Sequence, residues 1–121
     1  MMKLYVSDAD ECPYGVNFHT HGVKENFGHL DFEVVFPMEF EMCHYIFFKI
    51  IEIIVAGQKF EANHTYPDVL GNNYNLKFIE SQEGDRPVLR LIFPGKDGNL
   101  DEDNIHITFK KQYNIGGNNV T

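Results

Sequence analysis

The spacing of apolar residues changes along this chain, and its longest apolar stretch sets the terms for the rest. Residues 37–57, PMEFEMCHYIFFKIIEIIVAG, are too long for an ordinary strand, and the pairs Ile50-Ile51 and Ile53-Ile54 break a two-residue alternation. At about 100° per residue, Met38, Glu41, Tyr45, Lys49, Glu52 and Ala56 fall within a stripe roughly 80° wide, and apolar side chains cover most of the remaining circumference. The pattern predicts a helix that needs cover on more than one side, either from a segment such as residues 59–73 or from a second copy of the chain. Pro37 suits its start, and Gly57 suits the position just past its end.

Around that helix the period is two. Residues 4–6 form a short apolar entry strand. Residues 14–20 alternate Tyr14, Val16 and Phe18 with Gly15, Asn17 and His19, and residues 31–36 turn Phe32, Val34 and Phe36 inward. Gly22 and Gly28 bracket a loop between these two strands, giving a long-looped hairpin. Beyond the helix, a short strand is expected over 59–62 and an irregular stretch through Pro67 and Gly71. Strands over 74–80 and 88–93 follow, paired antiparallel across the turn SQEGDRP. Residues 105–110 alternate most cleanly of all. The fold class expected is α+β: a mainly antiparallel sheet of about five to six strands with one long apolar helix packed on one face. It forms a single domain over residues 1–114, with residues 115–121 as a disordered tail.

Charge narrows the function. Eighteen acidic against ten basic side chains give a net charge of −8, with no basic run, which argues against nucleic acid and suits a basic protein partner. His44, Lys49 and Glu52 interrupt the apolar helix, so no membrane span is expected, and the N-terminal MMKLYVSDADE lacks the apolar segment of a secretory signal. The compartment expected is cytoplasmic, with Cys12 and Cys43 as free thiols.

His19 and His21 carry the strongest chemical signal. Two histidines at i and i+2 of a strand project from one face about 6 to 7 Å apart, close enough to share a metal. His29 and Asp31, across the hairpin, would complete a set suited to zinc or iron. Beside this stands a metal-free reading, in which Asn17, His19, His21, Arg90 and His106 line a polar ligand pocket. Arg90 would grip an anion there and a histidine would act as acid or base, so His19, His21 and Arg90 are the catalytic candidates. Both compete with plain structural roles, such as an ion pair of Arg90 with Glu33 or Glu80. Asp97, Asn99, Asp101 and Asp103 alternate as in a calcium loop, but Glu102 and Thr108 stand where that loop needs glycine and glutamate, leaving a solvated acidic turn.

The pieces YGVNFHTHG (14–22), FGHLDFEVVFP (27–37), AGQKF (56–60), YPDV (66–69) and VLRLIFP (88–94) together resemble a bacterial family known as domain of unknown function 4262. The resemblance spans most of residues 14–100. It leads one to expect an acidic residue after Pro94, where this chain has Gly95, and it implies a fold and a bacterial origin but no reaction. Three functions therefore stay open. The first is a non-catalytic binding or interaction protein, of the kind that neutralises a toxin. The second is a metal-dependent or histidine-based enzyme using His19 and His21, and the third is a homodimer scaffold.

Overall fold

The computed structural model describes residues 3–7, 14 and 17–114. Within them one six-stranded sheet, in the order β1-β2-β3-β6-β5-β4, is built from β1 (Lys3–Ser7), β2 (Asn17–His21), β3 (Asp31–Val34), β4 (Thr65–Tyr66), β5 (Leu76–Glu83) and β6 (Arg86–Ile92). The fold is α+β and the sheet mainly antiparallel. The exception is the central pair, where β3 runs parallel to β6 with Asp31 beside Val88 and Glu33 beside Arg90. The expected tail at 115–121 and Cys12 lie outside the described residues.

One face of the sheet carries the main core. Phe18, Phe32, Val34, Phe78, Leu89 and Leu91 project onto it and meet Cys43, Ile46, Phe47 and Ile50 of the helix α2 (Phe40–Val55). The single long helix expected over 37–57 is thus corrected to 16 residues, accompanied by two short ones, α1 (Val23–Phe27) and α3 (Ile107–Lys110). Glu39, just before Phe40, is extended (φ −69°, ψ 148°), so the helix does not begin at Pro37. The other end closes as a Schellman motif: Gly57, at φ 113°, donates to Ile54 O (2.9 Å) and Gln58 to Ile53 O (3.2 Å). Among the described residues no helix is long and apolar enough to cross a membrane.

Three local expectations fail for identifiable reasons. The loop between Gly22 and Gly28 is the helix α1. Its N-cap glycine offers no side chain, and Asp31 serves instead, accepting from Val23 N (3.0 Å) and Lys24 N (3.4 Å). No strand forms at 59–62, because side chains take the backbone donors there: Phe60 N bonds His29 Nε2 (3.0 Å) and Glu61 N bonds Tyr66 Oη (2.9 Å). Residues 105–110 are not a strand either. His106 Nδ1 accepts from Thr108 N (3.1 Å) and starts α3, which passes into a 3-10 turn, Lys111–Tyr113.

That C-terminal segment covers the second face of the sheet. Tyr113 packs with Ile79 and Ile92, while fully buried Gln112 bonds both the N–H (2.6 Å) and the C=O (2.8 Å) of Phe93 as a further strand would.

Candidate functional site

The second face holds the charged chemistry. Phe18 enters the main core, so its neighbour His19 projects to the other side of β2, as alternation requires. His19 is buried and its Nε2 lies 2.5 Å from Glu83 Oε2; His21, nearly half exposed, places Nε2 3.3 Å from Glu83 Oε1. The two imidazoles stand edge to face with centroids 5.9 Å apart. One ligand atom from each of His19, His21 and Glu83 lies within 4.8 Å of the others.

Strand lengths explain how β5 reaches β2 across two intervening strands. β3 is four residues long and pairs with β6 from Val88 onward, so the β5–β6 hairpin overruns its start by two residues. Glu83 and Arg86 face each other across a two-residue turn whose first residue, Gly84, takes a positive φ of 61°. The hairpin tip then lies over Asp31 and touches β2. Arg86 donates to Thr20 O (3.0 Å), Asp31 Oδ2 (2.9 Å), His21 Nε2 (3.3 Å) and Glu83 Oε1 (3.0 Å from Nε, with a second bond from Nη2). A guanidinium can only donate, so toward Arg86 the His21 Nε2 is an acceptor.

Burial pushes the His19 pKa below its ordinary value, and the pull of Glu83 and Glu33 in the opposite direction does not overcome it. At neutral pH the ring is therefore uncharged and donates Nε2–H to Glu83. For Glu83, burial acts to raise the pKa, but the hydrogen bond and positive charge of Arg86 help lower it on balance, keeping a carboxylate at the centre of the cluster.

The other candidates go elsewhere. His29 does not join the histidine pair: its ring stacks on Phe32 (5.1 Å), Nδ1 bonds Leu30 O (2.9 Å) and Nε2 accepts from Phe60 N. Asp31 is engaged by Arg86, by Thr20 Oγ1 (2.7 Å) and by the start of α1, so it is a buried counter-ion where a metal ligand was expected. Arg90 does not open onto a pocket. It is buried against Glu33 (2.8 Å), the ion pair weighed against the pocket reading, and also binds Ser81, Gln112 O and Asn114 O, pinning the C-terminal segment. His106 caps α3. Asn17 pairs with Ser7 at the end of the β1–β2 ladder, and its side chain lies outside the described residues. Among the described side chains of the expected pocket, Arg90 is sealed against Glu33 and His106 caps α3, so neither opens beside His19 and His21.

Sequence reasoning missed Glu83 and Arg86, which it had absorbed into a turn. Acidic and basic residues flanking a two-residue Gly-Asp turn are the signal that was present. Asp97, Asn99 and Asp101 each accept a backbone N–H two residues on (3.1, 2.9 and 3.1 Å), so the acidic loop is a run of Asx turns. The Cys43 thiol, buried in α2, is pushed up to about 12 and is no nucleophile.

No family model, curated protein or solved structure matches the chain.

Proposed function

We propose that this chain is a metal-binding domain that holds zinc or iron between His19, His21 and Glu83. One observation carries the reading: donors from β2 and from the β5–β6 tip, more than sixty residues apart, converge within 4.8 Å. Two imidazoles and a carboxylate are the set that suits these metals, and three protein ligands leave a position for water or substrate. Tetrahedral ligands on bonds of about 2.0 Å sit about 3.3 Å apart. His21 Nε2 has that separation from Glu83 Oε1, while His19 Nε2 stands 2.5 Å from the other oxygen, Oε2, so the carboxylate would have to turn between the two rings to hold an ion with both. Loading would shift the His19 proton from Nε2 to Nδ1, and because protons compete with metal for all three ligands, affinity would fall with acidification. An ion held here would polarise a water facing the solvent-exposed side of His21, the chemistry of a metal-dependent hydrolase.

Elemental analysis after loading tests this. Metal near one per chain is expected, lost in the His19→Ala, His21→Ala double variant and in Glu83→Gln. Absence of metal, or full retention by Glu83→Gln, overturns the reading.

A second reading, a cytoplasmic bacterial interaction protein that engages a basic partner, draws on the net charge of −8 and the exposed side chains of Asp97, Asp101, Glu102 and Asp103 on one loop. It requires an association rate that drops steeply with salt, and indifference to salt counts against it. The resemblance to domain of unknown function 4262 belongs with both readings, since it implies no reaction.

A further inference from the structure

Two hollows meet just past the end of β6, and they differ in chemistry. The first, about 370 Å³ and open to solvent, is walled by Phe36 and Met38 from the chain before α2, Met42 from its first turn, Tyr74, Phe93 and, from α3, Phe109. Phe36 stacks on Phe109 (centroids 5.1 Å apart, 8° between planes) and packs on Phe93 (6.0 Å), so segments distant in sequence hold the walls through ring contacts. Lys96 is the only charged residue on this lining. The second hollow, about 670 Å³, shares Gly95, Lys96 and Phe109 with the first and is otherwise mainly polar, with Asn99, Asn104, His106 and Thr108 on its wall.

An apolar hollow of this size beside a few polar groups is the usual form of a small-molecule site, and the adjoining polar hollow makes the matching ligand an amphiphile. At about 30 Å³ for a group the size of a water molecule, the apolar part has room for about twelve. The charge where the hollows join decides the head. Lys96 is exposed and pairs with no carboxylate among the described residues. His106 uses Nδ1 to accept from Thr108 N (3.1 Å), so its neutral ring carries the proton on Nε2 and is left with a donor. Asp97 is the one acid on either lining, and its Oδ1 is taken by Asn99 N (3.1 Å). An ammonium and an imidazole donor suit a carboxylate, which only accepts. We propose that the paired hollows bind a single-chain carboxylic acid of about eight to twelve carbons, its chain among Phe36, Met42 and Phe93 and its carboxylate beside Lys96. Neither lining includes His19, His21 or Glu83, so this site is independent of metal binding.

Titration of the full chain with decanoate below its micelle concentration, in the presence of chelator, tests it by calorimetry and by amide NMR shifts. One decanoate per chain is expected, with a dissociation constant of about 10 to 100 µM and the largest shifts over residues 93–96 and 106–109. Octanoate should bind about tenfold more weakly, because two buried methylenes are lost. Decyltrimethylammonium should bind weaker by about tenfold or more, because its head meets Lys96 with the same sign, and Lys96→Glu should reverse that preference. Met42→Asp puts a carboxylate on the apolar wall at a first-turn position where the helix dipole favours an acid. It should weaken decanoate about tenfold or more while circular dichroism stays that of the wild type. No binding at millimolar decanoate, equal affinity for the cation, shifts centred elsewhere, or a folded Lys96→Glu or Met42→Asp variant that binds decanoate as well as the wild type overturns the proposal.

Discussion

Arg86 donates to Glu83, His21, Thr20 and Asp31 at once, so a divalent ion reaching His21 Nε2 has to displace one edge of its guanidinium. The other edge can stay on Asp31, whose buried carboxylate would otherwise lose its counter-charge. Lysine at this position keeps the positive charge for Asp31 but cannot fork onto Glu83 and His21 as well. Arg86→Lys is therefore expected to bind metal about tenfold more tightly, because charge-assisted hydrogen bonds no longer compete with the ion. Calorimetric titration with zinc measures this, and an affinity equal to wild type would show that the guanidinium is not the competitor. Two other histidines separate site from framework. His29→Ala leaves the buried Phe60 N–H and Leu30 C=O without their partner and should cost about 2 to 4 kcal/mol. His21→Ala, with its side chain 42% exposed, should cost less than about 1 kcal/mol. Urea denaturation of both variants without metal checks the contrast; equal losses would make His21 structural too.

At the scale of elements, what could be read from the sequence depended on how local its cause was. β2, β3, β5 and β6 were legible because Phe18, Phe32, Phe78 and Leu91 mark one face at every second position. Gly57 was legible as a helix terminator, since its positive φ is a local requirement. The strand expected at 105–110 failed because Ile105, Ile107 and Phe109 fit a period of two, yet four helical residues are too few to display a period of 3.6. Ile107, which that alternation would bury, is 64% exposed. Of the site, His19 and His21 could be found because i, i+2 spacing on one strand is enough to bring them together. Glu83 could not, because its approach depends on the parallel pairing of β3 with β6, a contact more than fifty residues long in sequence with no local mark. His29 and Asp31 were misplaced for a related reason: β3 begins at Asp31, so the chain before it turns into the main core.

For the whole molecule, the cluster on the second face makes stability depend on pH. The folded His19 pKa lies below 6.5, so as pH falls below about 6.5 the unfolded chain takes up a proton that the folded chain refuses, and stability drops. Glu83, whose folded value lies below 4.5, adds a loss in the same direction as pH falls further. Thermal unfolding with chelator present should show a melting temperature that declines from pH 7 in two stages. His19→Gln keeps an N–H toward Glu83 and should remove the upper stage while leaving the lower one. A profile flat between pH 7 and pH 5 in the wild-type chain would contradict the burial of an uncharged ring.

The parallel β3–β6 pair also bears on how the chain reaches this structure. The β5–β6 hairpin closes over two residues and can form in microseconds, whereas joining β3 to β6 closes a loop of more than fifty residues that contains α2. Docking of β3 and β2 onto the finished hairpin is then the late, slow step, and that same step brings Glu83 to His19. The proposed metal position would form only once that long-range contact is made, so an ion added during refolding would bind after collapse and report on completion of the fold rather than its beginning.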